Sequence, residues 1–314
     1  MCGIVGYWDK QGANTSVVEK MALKIQHRGP DGAGVWLNQA GDLAMAHRRL
    51  AILELSPAGH QPMVSPCERF TLVFNGEIYN HLALRADLER QGGHFNWRGH
   101  SDTETLLAAL RHWGIEQTLQ KLNGMFAFSL WDRQEKSLFL ARDRMGEKPL
   151  YYGNQGGRFF FSSELKAFKA HPDWRPEIDR NALTLYMRHN AIPAPWSIYQ
   201  GIKKLLPAHY VVIREAGSDV SEPICYWDLA KVAEEGIAKQ ADGSIDSLTN
   251  ELDTLLRDAV KSRMASDVPL GAFLSGGFDS TMVAAMMQAQ SPSPIKTFTI
   301  GFNEQGYNEA VHAK

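Results

Sequence analysis

The chain opens Met1-Cys2-Gly3-Ile4. Removal of the initiator methionine makes a cysteine the first residue, which puts a thiol and a free α-amine on one residue. The thiolate is the nucleophile of cysteine chemistry, and an α-amine with an ordinary pKa of about 8 can accept the thiol proton near neutral pH, so nucleophile and base coincide. On position alone the plainer reading, a small residue near a flexible end, is the better one. The rest of the sequence has to decide between them.

Composition narrows the field. At 314 residues, 44% hydrophobic and 22% charged, the chain has an ordinary globular make-up and is long enough for two domains. A net charge of -2 gives no field to gather nucleic acid or an anionic membrane, so a small-molecule ligand is expected and neither of those partners is. No run approaches the roughly 20 apolar residues that cross a bilayer. Met1 to Lys10 carries an aspartate where a signal peptide needs its apolar stretch, so the expected location is cytoplasmic. The cysteines, Cys2, Cys67 and Cys225, are too scattered for a disulfide framework, and neither they nor the histidines show zinc-ligand spacing.

From Cys2 to about Ala170 short strands alternate with short helices. Phe70-Thr71-Leu72-Val73-Phe74, Met125 to Trp131, Leu138 to Ala141 and Arg158 to Phe161 read as strands. One helix is expected after Asn80, ending at Gly92-Gly93, and another over Thr103 to His112, where Leu106, Leu107 and Leu110 form a stripe. This is an α+β layered pattern with antiparallel sheets. Proline-rich Ile192 to Trp196 and Gly201 to Pro207, then Tyr210 to Ile213, read as a connector, and Asp228 to Ser244 as an exposed linker or weak helix. Beyond it come a helix through Leu248, Leu252, Leu255, Leu256 and Val260, a strand Val268 to Leu274, a glycine turn, a helix Asp279 to Gln288 and a strand Lys296 to Ile300. That order is a βαβ unit.

Four further groups bear on chemistry. In Phe74-Asn75-Gly76-Glu77-Ile78-Tyr79-Asn80, the Asn75 side chain and the Gly76 backbone could donate to an oxyanion, although Asn-Gly is by itself a strong hairpin signal. In His47-Arg48-Arg49-Leu50-Ala51-Ile52, strand alternation puts the two arginines on opposite faces, and Arg49 could clamp a carboxylate or be a surface cation. In Gly99-His100-Ser101-Asp102-Thr103-Glu104, a Ser101 to Glu104 capping box would free Asp102 for an ammonium group, whereas Asp102 as N-cap would be used on the backbone. Leu274-Ser275-Gly276-Gly277-Phe278-Asp279-Ser280 joins a strand to a helix, a setting in which backbone N–H groups bind phosphate and Asp279 could hold Mg²⁺.

Together with His27-Arg28-Gly29-Pro30-Asp31-Gly32, Arg142-Asp143-Arg144, Lys148-Pro149-Leu150-Tyr151-Tyr152 and Ser163-Glu164, these groups in this order resemble the glutamine-hydrolysing asparagine synthetases, whose N-terminal domain is a class II glutamine amidotransferase. The resemblance implies an N-terminal-nucleophile hydrolase fold, a four-layer αββα sandwich, over residues 2–210 including the connector. A partial α/β parallel-sheet domain of the ATP-pyrophosphatase type would follow over residues 228–314. It implies that Cys2 attacks the glutamine carboxamide, forming a γ-glutamyl thioester and releasing ammonia. Asn75 and Gly76 would form the oxyanion hole, Arg49 would hold the α-carboxylate, Glu77 and Asp102 the α-amino end, and backbone around Leu50, Ile52 and Leu53 would line the pocket. Ammonia would amidate aspartate activated by ATP as β-aspartyl-AMP. Ser275, Gly276, Gly277, Asp279 and Ser280 would hold the pyrophosphate, with Mg²⁺ near Asp279, and Leu274, Ile300 and Gly301 would border the adenosine.

The implied partners are glutamine, aspartate and ATP, and a homodimer is compatible. The sequence departs from the family pattern at Met145-Gly146-Glu147-Lys148-Pro149 and at Phe278. Family members also continue beyond the position of Lys314, so a truncated synthetase half, with apolar surface and strand edges left open, is the expectation. A relative that amidates a sugar acid in surface-polysaccharide assembly, and a fragment with glutaminase or glutamine-binding activity only, are the alternatives.

Overall fold

A computed structural model describes residues 1–92, 95–218, 220–304 and 308–313. Gly93, where the first predicted helix was to end, and Lys314 lie outside the described residues. The chain divides into two compact units, Met1–Leu229 and Ala230–Lys314.

The strands of the first unit are β1 (Gly3–Trp8), β2 (Gly32–Leu37), β3 (Leu43–Arg49), β4 (Met63–Val64), β5 (Phe70–Ile78), β6 (Gly124–Asp132), β7 (Ser137–Arg142), β8 (Tyr151–Gln155), β9 (Arg158–Ser162), β10 (Ile202–Lys204), β11 (His209–Ile213) and β12 (Ile224–Cys225). They form two antiparallel sheets, ordered β10-β8-β9-β1-β3-β2 and β12-β11-β7-β6-β5-β4. The strand expected in the connector, His209–Ile213, pairs with β7 and so completes the second sheet. Helices α1 (Thr15–Leu23), α2 (His81–Arg90), α3 (Asp102–Lys121) and α4 (Arg180–His189) accompany the sheets.

Side-chain alternation sorts each strand into two layers. Ile4 and Trp8 of β1 and Leu43 and Met45 of β3 meet Val73, Ala127, Trp131, Leu138 and Leu140 of the second sheet in the inter-sheet core. The opposite faces are covered separately. Val5, Tyr7, Ala44 and Ala46 pack on Val18, Met21 and Ala22 of α1, while Leu72, Phe74 and Ile78 pack on Leu84 of α2 and Leu106, Leu107 and Leu110 of α3. The layers are therefore helix, sheet, sheet, helix, as the αββα reading expected. Helix α3 runs past His112, through a break at Gly114 (φ 75°), to Lys121.

The second unit contains α5 (Leu229–Ala238), which reaches back one residue into the first, α6 (Ile245–Ser262), β13 (Gly271–Phe273), α7 (Phe278–Ala289), β14 (Lys296–Phe298) and α8 (Ala310–Ala313). β13 and β14 are parallel, which makes β13-α7-β14 the expected βαβ unit, although the two strands are shorter than the apolar runs that announced them. Within this two-stranded sheet Phe273 is 81% exposed, and Phe278 at the start of α7 is 96% exposed.

Gly6 of β1 has no Cβ because one would sit 2.4 Å from Cζ of Phe161, whose ring fills the inter-sheet layer. Phe161→Ala is expected to lose about 3–5 kcal/mol, seen as a lower urea midpoint with little change in slope.

Candidate active site

Cys2 shares its strand face with Ile4 and Trp8, so it stands at the open end of the inter-sheet layer. Its backbone is held from several sides. Arg28 Nε donates to the Cys2 carbonyl at 2.9 Å while Arg28 Nη1 pairs with Glu164 at 2.9 Å. One residue on, Ile4 N–H donates to Ser163 Oγ at 3.1 Å, and its carbonyl accepts from Ser163 N–H at 2.9 Å. The motifs around Arg28 and Ser163-Glu164 thus anchor the start of β1. The sulfur lies 3.4 Å from Leu50 N and 3.6 Å from Leu50 O.

Asn75 and Gly76 do not form a hairpin. They lie inside β5, opposite Ala127 and Phe126 of β6. Phe126 spends its N–H and carbonyl on Asp143, so its partner Gly76 is a non-hydrogen-bonded pair whose N–H points away from β6. Phe74 and Ile78, in the same phase, point their N–H groups the same way, to Gln61 Oε1 (2.7 Å) and Asp102 Oδ2 (2.9 Å). The Gly76 N–H lies between these two and opens on the pocket. A Cβ at Gly76 would lie 2.2 Å from the Met125 carbonyl, so only glycine lets β6 approach this closely. The Asn75 side chain, on the inter-sheet face, is fully buried, and neither its Nδ2 nor its Oδ1 has a partner among the described residues. A buried carboxamide left without hydrogen bonds costs about 1–3 kcal/mol, and here both of its polar atoms are free to meet a partner.

One pocket of about 80 Å³ gathers these groups. Cys2, Arg49, Leu50, Ile52, Leu53, Asn75, Gly76, Glu77 and Asp102 all line it, with Met1, Gln61, Met125 and Lys148 among the others. Of the two neighbouring arginines, Arg49 has the inward phase of Leu43 and Met45. Its guanidinium donates to the carbonyls of Leu53 (3.4 Å), Glu54 and Ser56 (3.3 Å), so it also shapes the loop that forms one pocket wall. At α3 the N-cap is Ser101, whose Oγ accepts from Glu104 N–H at 3.1 Å. Glu104 turns its carboxylate to the N–H groups of Arg98 and Gly99. Asp102 is therefore released from capping and faces the pocket. Gln61 and Lys148 carried no sequence assignment. Gln61 has no local signal, whereas a lysine leading straight into Pro149-Leu150-Tyr151-Tyr152 is a hint that its stem is buried.

Burial dominates the electrostatics. It pushes the Cys2 thiol up, pushes Asp102 up to about 6, and, helped by the Asp102 charge, raises Glu77. It lowers the chain's terminal amine and Lys148. His47 donates through Nε2 to the Phe74 carbonyl at 3.0 Å, bridging the two sheets, and burial brings its pKa down to about 3.

The second unit places Ser275, Gly276 and Gly277 between β13 and α7. Gly276 takes φ +78°, Gly277 is the N-cap without a side-chain bond, and the Ser275 and Ser280 hydroxyls lie 2.9 Å apart. Leu274 N–H donates to the Phe298 carbonyl at 2.9 Å, which brings the two strand ends together; Ile300 and Gly301 follow β14 and are exposed. Uncapped helix N–H groups beside two hydroxyls fit a phosphate chain. Asp279 is an isolated carboxylate in the first turn of α7, and among the described residues no group of three or more histidine, cysteine or acidic side chains could hold a metal ion. A divalent ion there would take most of its ligands from phosphate and water.

Two sheets sandwiched between helices, with Cys2 leading a central strand into the inter-sheet opening, define an N-terminal-nucleophile hydrolase fold. Residues 1–227 match the family described as glutamine amidotransferase domain, and residues 251–314 match asparagine synthase. The chain belongs to the glutamine amidotransferase family, and its residues 251–314 match asparagine synthase behind that domain. It is 37% identical over 319 residues to asparagine synthetase [glutamine-hydrolyzing] 1 of Bacillus subtilis, covering 100% of this chain and 48% of the relative. It is 32% identical over 343 residues to amidase chry2 of Gibberella zeae, covering 100% and 49%. The chain thus spans about half the length of these curated relatives. Among solved structures, glutamine phosphoribosylpyrophosphate amidotransferase from B. subtilis superposes with a TM-score of 0.51 at 20% identity, over 98% of this chain and 68% of that one, a likeness of fold.

The neutral, buried His47 predicts a pH dependence of stability. Its pKa is about 3 in the folded protein, against 6.5 unfolded, so below pH 6.5 the unfolded chain takes up a proton that the folded one refuses. Stability contributed above pH 6.5 is lost as pH falls toward 3, by at most about 1.4 kcal/mol per pH unit. Asp102, shifted upward, works in the opposite sense between 3.8 and about 6. Urea midpoints for His47→Gln should therefore fall less steeply between pH 7 and 5 than those of the wild type.

Proposed function

We propose that the first unit is a glutaminase acting through Cys2 once Met1 is removed. The observation that carries this reading is the buried, unpartnered Asn75 carboxamide beside the pocket-facing Gly76 N–H, in the same pocket as the Cys2 sulfur. The Cys2 thiol, raised by burial, needs a local base, and the α-amine exposed on the same residue serves. The sulfur attacks the side-chain carboxamide carbon of glutamine, and the charge that develops on oxygen is met by Asn75 Nδ2 and Gly76 N–H. Ammonia leaves as the γ-glutamyl thioester forms, and water then releases glutamate. Arg49 holds the α-carboxylate with the N–H groups it does not donate to the loop, while Glu77 and Asp102 face the α-ammonium. An Asp102 pKa near 6 leaves it largely ionised at neutral pH.

For the whole protein, the reading is a glutamine-dependent asparagine synthetase in which ATP activates aspartate for attack by the ammonia. Ser275, Gly276, Gly277, Asp279 and Ser280 would hold the pyrophosphate, Asp279 would be the residue to hold a Mg²⁺ that neutralises the pyrophosphate charge, and Leu274, Ile300 and Gly301 would border the adenosine. Its support is the order of the two family matches and the relatives named asparagine synthetase. Amidation of a different carboxylate, such as a sugar acid, is the second reading; the likeness to a relative named amidase supports the amide-cleaving half that both readings share.

Glutamate release from glutamine, followed by a coupled dehydrogenase assay, tests the first unit. Cys2→Ala is expected to abolish it, and Asn75→Ala to lower kcat about 100- to 1,000-fold with a smaller change in KM. Asp102→Asn should act mainly on KM for glutamine. Adding ATP and Mg²⁺ with aspartate or with a sugar acid, and following pyrophosphate, separates the two acceptor readings.

A further inference from the structure

Lys148 is buried, yet its ammonium has only two described contacts, Met125 Sδ at 2.9 Å and Met1 Sδ at 3.4 Å. Thioethers are weak acceptors, so this is a cation kept in the active-site pocket without a carboxylate bonded to it. The backbone around it is fixed with unusual care. The Asp143 carboxylate, 1% exposed, accepts from the N–H groups of Met145 (3.1 Å), Glu147 (2.9 Å), Lys148 (3.0 Å) and Phe126 (3.1 Å). From the other side Arg142 donates to the carbonyls of Gly146 (2.5 Å), Lys148 (2.7 Å) and Leu205 (2.6 Å). The Arg142-Asp143 pair therefore fixes the backbone from which Lys148 projects.

Removing Met1 takes away one of the two contacts and exposes the α-amine of Cys2 where Met1 had been. We infer that Lys148 is a positioning residue of this centre, whose ammonium faces that new amine and, by like-charge repulsion, keeps it unprotonated and able to take the thiol proton. The other charges around the start of β1 come from every neighbouring element: Arg28 from the turn after α1, Arg49 from β3, Glu77 from β5 and Asp102 from α3. Arg28, although paired with Glu164, acts on the amine in the same sense as Lys148; Arg49 and Asp102 act on the thiol, and Glu77 opposes both cations at the amine. Lys148 and Arg49 are the pocket cations with no ion-pair partner described, and of the two it is Lys148 whose charge bears on the amine. Burial lowers the terminal amine, and Arg28 and then Lys148 lower it further.

The inference rests on the glutaminase reading for the purpose of the amine, but the protonation of the amine can be read without turnover. The full chain, with Met1 removal verified by mass, is acetylated competitively across pH in wild type, K148M, K148Q and K148R. The expected result is that K148M and K148Q raise the midpoint of the α-amine by about one pH unit while K148R leaves it near the wild type. Glutaminase kcat/KM should then be about tenfold lower for K148M at pH 7 and recover by about pH 9. An unchanged amine midpoint in folded K148M and K148Q, or a loss of activity equal at all pH values, would overturn the inference. If the wild type releases no glutamate, the glutaminase reading fails and the amine midpoint alone decides the role of Lys148.

Discussion

The site depends on how the start of β1 is pinned. A strand in the middle of a sheet has neighbours on both sides, and β1 has β3 on one and β9 on the other. Its register leaves no freedom to slide, since a one-residue slip would turn Ile4 and Trp8 out of the inter-sheet core. Cys2 is then delivered to one place, the opening of the layer where β3 and β5 also end their inward-facing rows with Arg49, Asn75 and Glu77. The Arg28 bond to the Cys2 carbonyl and the Ser163 bonds to Ile4 add the last constraint at the end of the chain, where fraying would otherwise be expected.

Much of this was legible in the sequence because the groups are local. Cys2 announces itself by position, the Asn75-Gly76 pair by a strand running into it, and Ser101 by its spacing from Glu104. The turn alternative at Asn75-Gly76 is set aside by tertiary pairing: β6 supplies nine residues of partner, so the chain stays extended through the dipeptide. Which of Arg48 and Arg49 faces inward follows from strand phase, but only once Leu43 and Met45 are known to be core. Gln61 and Lys148 stayed out of reach for a different reason. Gln61 acts across the fold on Phe74, and the aim of Lys148 is set by Asp143 and Arg142 through bonds that no periodicity encodes. Strand lengths in the second unit were overread because apolar runs such as Val268 to Leu274 extend past the residues that pair.

The charges of the pocket also explain one another. Two carboxylates, Glu77 and Asp102, raise each other's cost of ionisation, and both are suited to an arriving ammonium group that relieves the repulsion. The Asn75 carboxamide carries the opposite logic: it is neutral, dry and unpaired, so it gains most from charge that appears only during reaction. On the proposed glutaminase reading, substrate recognition and rate fall to different side chains of one strand, Glu77 and Asn75, two residues apart on the same face.

The central claim is that Cys2 of the processed chain becomes covalently attached to the glutamyl group. Acid-quenching the protein during turnover with isotopically labelled glutamine, followed by peptide mass spectrometry, measures this directly. The account predicts a γ-glutamyl thioester on the N-terminal peptide at Cys2, present only in chains that have lost Met1. Label on Cys67 or Cys225, or turnover with no adduct on the processed N-terminus, would contradict it.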